Sequence, residues 1–340
     1  MLLTLRTLHA FDGPAKHYPL QRTLRLAVGR PLEEFLDDLA LGWGLRAQRL
    51  DERSMVLDGH GVFARVMGLR KAEYSSITVE IWADTPRRLT AVRSAFHRIA
   101  RKYQLRGSMF TIDWHFVSAH AGLSSASFEE LADPIPFDEA YPTLREPVAD
   151  FIDRFLDSRE TVLILQGPPG TGKTRLVRAI LATMSARKRD NARAIYTADR
   201  RALESDEMFV EFITGSHDAI VVEDADQLLT ARADGNQDMH RFLAVADGVV
   251  RAQGRKIIFT TNLPNIGDID AALVRPGRCF GVVRTRALSA AEALALLDRV
   301  PKPAGSGDRS GLNARVAGRA AITLAELYRE LANAEASWED

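Results

Sequence analysis

The stretch Thr161-Val-Leu-Ile-Leu-Gln-Gly-Pro-Pro-Gly-Thr-Gly-Lys-Thr-Arg-Leu176 decides the fold. Residues 162–166 are a short apolar run that reads as a buried strand, and the pattern from Lys173 onward reads as a helix. Between them Gly167, Gly172, Lys173 and Thr174 fall at the spacing G-x-x-x-x-G-K-[ST], so strand, glycine-rich loop and helix follow one another as in a βαβ unit. Glycines let backbone N–H groups converge on a phosphate chain at the start of a helix. Lys173 brings a point charge to the β- and γ-phosphates, and Thr174 offers a hydroxyl to Mg²⁺. The segment reads as an ATP site formed by Gly167, Pro168, Pro169, Gly170, Thr171, Gly172, Lys173, Thr174 and Arg175. A ligand-free glycine-rich turn is the competing reading, and the flanking strand and helix count against it.

Hydrolysis also needs acidic groups for the metal and the attacking water. The segment Asp218-Ala-Ile-Val-Val-Glu-Asp-Ala-Asp226 supplies them. Residues 219–222 read as a buried strand, and Glu223 and Asp224 stand at its carboxyl end, the side on which such sheets bind phosphates. With Thr174 they are the candidate Mg²⁺ set, one carboxylate assisting the metal through its water shell and the other polarising the water. Lys256-Ile-Ile-Phe-Thr-Thr-Asn262 is a further apolar strand with a polar end. Asn262 suits a group that holds water or γ-phosphate by hydrogen bonds, and a turn-forming asparagine ahead of Leu263-Pro264 is an equal alternative.

Together these segments resemble the AAA+ ATPase family, in particular its classical AAA clade, across residues 137–335. Residues 167–174 are similar to the family's Walker A motif, 219–226 to its Walker B and Thr260-Thr261-Asn262 to its sensor 1. Asp268-Ile-Asp-Ala-Ala-Leu-Val-Arg-Pro-Gly-Arg-Cys-Phe280 resembles the clade's D-P-A-L-x-R-P-G-R segment, with Ala271 where the clade has proline. Asp247-Gly248 resembles its D-G before sensor 1. The resemblance implies an α/β P-loop core with a parallel sheet, a small C-terminal helical lid, and a ring-shaped homo-oligomer for which a hexamer is the candidate. It also implies that Arg275 and Arg278 reach the neighbouring subunit's nucleotide, where arginine fingers contribute about 10³ to 10⁵ in rate. Two arginines flanking a turn at Pro276-Gly277 are the local alternative.

Three departures bear on what carries over. The family's Walker B usually ends Asp-Glu, whereas Glu223-Asp224 is the reverse, an order shared by members resembling the mitochondrial Rieske-protein translocase; the shorter Asp224 must then position the water. No aromatic pore-loop motif can be placed: Phe209 and Phe212, three apart, read as core residues of a short helix. In the lid, Ser289 and Thr323 are plausible N-caps of two helices separated by a loop at 301–311, and no second sensor arginine is assigned.

Upstream, residues 31–41 read as a helix, 61–69 and 76–84 as strands, Thr85-Pro86 as the start of an arginine-rich amphipathic helix, and 109–117 as a strand. Ile77, Val79 and Ile81 alternate toward a core. With a strand near residues 2–8 these make a small α+β accessory domain, and 119–142 read as linker. The expected divisions are 1–130, 131–285 for the ATPase core and 286–340 for the lid. In this region Asp113 and His115 lack a visible third ligand, so His115 reads as structural.

Lys+Arg and Asp+Glu both number 45, so no net field draws the chain to nucleic acid or an anionic membrane. The single cysteine, Cys279, excludes an internal disulfide and suggests a reducing compartment, with cytoplasm as the default. No secretory signal or membrane span is expected. The leading expectation is an ATPase that remodels a protein client recognised by residues 1–130. The alternatives are a nucleic-acid-linked ATPase such as a helicase loader, using the arginines of 87–106, and an ATP switch of slow turnover.

Overall fold

A computed structural model describes residues 18–42, 45–71, 73–105, 107–120, 122–188, 191–230, 239–246, 254–301 and 309–336. The chain forms two compact units, one of residues 1–109 with Glu129–Leu131 and one of Phe110–Phe128 with Ala132–Asp340.

In the first unit, β1 (Leu20–Val28), α1 (Leu32–Gly42), β2 (Arg46–Arg49), β3 (Ser54–Gly59), β4 (Val62–Arg70), β5 (Ser75–Ala83) and α2 (Pro86–Ala100) follow in order. The five strands form an antiparallel sheet ordered β1-β5-β4-β3-β2. Ile77, Val79 and Ile81 are fully buried against Phe35, Leu36 and Phe96 of the helices, as their alternation predicts. Thr85 caps α2 by accepting from the Arg88 N–H, and Pro86 occupies the first turn. β1, β2 and β3 were not evident in the sequence: Gln21, Arg22, Thr23 and Arg25 interrupt the apolar residues of β1, and β2 has Ala47 alone among Arg46, Gln48 and Arg49. The strand expected near residues 2–8 lies outside the described residues.

The second unit is built on a seven-stranded sheet ordered β12-β8-β11-β10-β9-β6-β7. Its strands are β6 (Met109–Ser118), β7 (Gly122–Leu131), β8 (Val162–Gln166), β9 (Ala192–Thr197), β10 (Ala219–Val222), β11 (Lys256–Thr261) and β12 (Cys279–Arg284). All neighbours from β12 to β6 pair parallel. Two expectations are corrected here. The strand at 109–117 forms, but pairs with β9 in this sheet instead of joining the α+β unit, and the supposed linker contains β7. The partner of β6, β9, lies about 80 residues away and leaves no local signal, whereas β7 sits next to β6 in the sheet and was missed because Ser124, Ser125, Ser127, Glu129 and Glu130 give it little apolar pattern.

Alternating residues of the short central strands face opposite cores, the reason they read as continuous apolar runs. Leu163, Leu165 and Val221 pack with α3 (Val148–Asp157) and α4 (Lys173–Lys188). Ile164, Ile220 and Val222 pack with Phe209 and Phe212 of α6 (Asp206–Thr214), which follows the short α5 (Arg200–Leu203) and precedes α7 (Asp226–Leu229) and α8 (Met239–Ala246). Among the described residues the C-terminal region has three helices, α9 (Ala290–Arg299), α10 (Ser310–Ala317) and α11 (Leu324–Ala336), one more than the periodicity indicates. Ser289 and Glu292 form a reciprocal capping box at α9, and Thr323 accepts from the Glu326 N–H at α11.

Candidate functional site

β8, β11 and β10 are adjacent and parallel, so the loops leaving their carboxyl ends converge. Those loops begin with Gly167, Asn262 and Glu223 respectively. A cavity of about 430 Å³ opens there, walled by Gly170, Lys173 and Thr174 on one side, Glu223, Asp224 and Asn262 on another, and Leu324, Ala325 and Tyr328 of α11 on a third.

The loop is held by contacts that its glycines permit. Gly172 has φ +91°, and a Cβ there would lie 2.7 Å from Leu324 Cδ1 and 2.9 Å from the Tyr141 hydroxyl. A Cβ at Gly167 would collide with the Thr285 carbonyl. Tyr141 donates to the Gly172 carbonyl at 2.8 Å, and burial pushes its phenol well above the ordinary range. Thr171 lies under the loop, bonded to the Pro168 carbonyl at 2.7 Å and to the Thr285 hydroxyl at 2.6 Å. From the lid, the Ala325 N–H donates to the Gly170 carbonyl at 3.0 Å.

Lys173 is 8% exposed, and its ammonium donates to the carbonyls of Gly167 (2.6 Å) and Pro168 (3.0 Å) and to Asn262 Oδ1 (2.9 Å). Burial lowers its pKa, opposed by the charges of Asp224, Asp226 and Glu223. Asn262 in turn donates through Nδ2 to Asp224 Oδ1 at 3.0 Å. Its side chain therefore points into the cavity, and the turn after β11 is fastened instead by Thr261, which accepts from the Leu263 N–H. Asp226 fixes that turn from the other side, accepting from the Thr261 hydroxyl at 2.5 Å and the Asn262 N–H at 2.8 Å.

Glu223 and Asp224 diverge. Glu223 Oε1 accepts from the Thr174 hydroxyl at 2.6 Å and Oε2 from the Tyr196 hydroxyl at 2.7 Å. Burial and then Glu223 raise the Tyr196 phenol, so it stays a donor. Asp224 has φ +49°, a left-handed conformation that Asp and Asn tolerate better than other side chains, and it faces Asn262. Thr174 and Glu223 together present only oxygen donors, the chemistry that suits Mg²⁺. Phosphate oxygens are in turn suited to the Lys173 ammonium and the bare backbone around Gly170 and Gly172.

Arg275 and Arg278 do not reach this cavity. Arg275 is exposed, and Arg278 donates to the Ala272 carbonyl of its own loop at 2.8 Å. Asp247-Gly248 lies outside the described residues. Burial pushes the Cys279 thiol up to about 11. His115 is 1% exposed and lies 3.6 Å from Glu211, beside Asp113, which accepts from His217 (2.8 Å) and Arg193 (2.9 Å). Tyr141, Tyr196, Thr285 and Tyr328 were missed by sequence reasoning; each acts through a tertiary contact that no motif marks.

Among the described residues, no helix is long and apolar enough to cross a membrane. Residues 163–286 match the model of the ATPase family associated with various cellular activities (AAA). The proteasome-activating nucleotidase of Pyrococcus furiosus is 31% identical over 165 residues, 44% of this chain and 38% of that protein. The vesicle-fusing ATPase of Dictyostelium discoideum is 26% identical over 194 residues, 50% of this chain and 24% of its own. An ATP-dependent zinc metalloprotease, the YME1 homolog of Caenorhabditis elegans, is 30% identical over 125 residues, 34% and 17% of the two chains. The matched stretches span between 17% and 41% of the length of such relatives. With the strand order and the loop geometry they establish that residues 163–286 are an AAA-family ATPase domain.

Proposed function

We propose that the protein hydrolyses ATP with Mg²⁺ and couples turnover to remodelling of a protein client, working as a homo-oligomeric ring. The observation that carries the reading is the pair of links across one cavity, Thr174 to Glu223 and Lys173 through Asn262 to Asp224. In this reading Lys173 binds the β- and γ-phosphates, Thr174 and Glu223 hold the metal and its water shell, and Asp224 with Asn262 orients the attacking water. Mg²⁺ supplies charge neutralisation at the phosphates. Arg275 and Arg278 complete a neighbour's site, a role supported by their place outside their own cavity. The first unit recognises the client.

Phosphate release and sedimentation with ATP analogues test this. Wild-type protein turns over ATP and assembles with nucleotide, and Lys173→Ala abolishes binding. Mixing Lys173→Ala with Arg275→Ala subunits restores activity, because each supplies what the other lacks. A strict monomer with undiminished hydrolysis under every nucleotide condition overturns the ring; absence of phosphate release overturns the ATPase. A nucleic-acid-linked ATPase is the second reading, favoured by the exposed face of Arg87, Arg93, Arg98 and Arg101. ATPase stimulation by DNA or RNA that falls steeply with salt would select it.

A further inference from the structure

Arg175 lines the cavity beside Thr174, yet among the described residues it makes no hydrogen bond and no ion pair. What it does make is a cation–π contact: its guanidinium carbon lies over the Tyr328 ring, 4.7 Å from the centroid. A guanidinium laid on a ring spends its face and keeps its in-plane N–H donors for anions. Tyr328 is a firm platform. It lies one turn after Leu324, which is 3% exposed and packs close to Gly172, and α11 is tied to the loop by the Ala325–Gly170 backbone bond. A cation with no hydrogen-bond or ion-pair partner among the described residues is thus held at the wall of a phosphate-binding cavity by a residue of the C-terminal helix.

We propose that Arg175 is a second phosphate-binding cation of this site, positioned by Tyr328, so that nucleotide affinity depends on α11 being docked. The inference rests on the ATP reading above. Lys173 is tied through Asn262 to Asp224, whereas Arg175 turns toward α11. Arg175 therefore serves the phosphates that ATP and ADP share, and not the γ-phosphate.

Calorimetric titration of full-length protein with a non-hydrolysable ATP analogue and with ADP tests the proposal, alongside turnover assays. Arg175→Ala weakens both ligands about tenfold, a loss suited to one charged hydrogen bond, and raises KM with little change in kcat. Arg175→Lys does not recover the loss, because an ammonium cannot stack as a plane. Tyr328→Leu weakens binding several-fold, Tyr328→Phe restores it, and Tyr328→Leu adds nothing in an Arg175→Ala background. Wild-type affinity for both ligands in Arg175→Ala, or a loss confined to the ATP analogue, overturns the proposal while leaving the ATP reading intact. Wild-type protein that binds neither ligand overturns both. Unfolding midpoints of each variant separate these outcomes from failure to fold.

Discussion

Replacing Asp224 with asparagine removes a charge and almost nothing else. The residue sits at φ +49°, where most side chains lose about 1 to 2 kcal/mol but Asn, like Asp, is tolerated. An asparagine Oδ1 still accepts the 3.0 Å bond from Asn262, so the contact across the cavity survives. Asp224 is exposed, which keeps the expected stability change within about 0.5 kcal/mol. What disappears is the basicity that draws a proton from water, worth about 10² to 10⁴ in rate for a positioned carboxylate. Single-turnover phosphate release should therefore fall by at least about 10², with nucleotide affinity unchanged and ATP retained on the protein. Asp224→Ala is a poorer probe, because it also incurs the left-handed backbone cost and loses the bond from Asn262, together about 2 kcal/mol. Turnover of Asp224→Asn within about twofold of wild type would remove Asp224 from the proposed chemistry and leave Glu223 to do both tasks.

Gly172→Ala should lower the free energy of unfolding in urea by about 3 kcal/mol, combining a positive φ with overpacking against Leu324 and Tyr141, and weaken nucleotide binding in parallel. Lys256, buried with its ammonium on the Ser158 and Glu160 carbonyls, has a pKa lowered by burial from 10.5 to about 8. The unfolded chain then holds more protons between those values, so stability rises with pH across that window by at most about 3 kcal/mol, and Lys256→Met should flatten the rise. At Asp113, burial is outweighed by bonds from His217 and Ser127 and by Arg193, which hold the carboxyl at about 2. Its contribution, complete above the ordinary carboxylate value of 3.8, is lost as pH falls from there through about 2; Asp113→Asn should lower stability at neutral pH and blunt this acid transition.

The phosphate loop, the carboxylates and Asn262 were legible because their chemistry is local: a glycine spacing, and polar residues at the end of apolar runs. The tyrosines were not. Tyr141, Tyr196 and Tyr328 come from three separate segments, and only the fold brings their rings to Gly172, Glu223 and Arg175. Ile77, Val79 and Ile81 announced β5 by alternation, whereas in β1 the polar run Gln21-Arg22-Thr23 breaks the alternation and β2 has a single apolar residue, Ala47. The divergence of Glu223 and Asp224 was also hidden, since it depends on a backbone angle that sequence spacing does not encode.

Because β6 is hydrogen-bonded to β9 and β7 follows it, the ATPase sheet begins well before residues 163–286, the span matched by the AAA family model. A truncation starting at residue 130 would strip away β6 and most of β7 and lay bare the outer side of β9, next to the strand that delivers Glu223. Such an open edge, with Ala194, Ile195 and Tyr196 along it, is a template for intermolecular pairing. An excised ATPase unit keeps that edge paired only if it starts ahead of Met109.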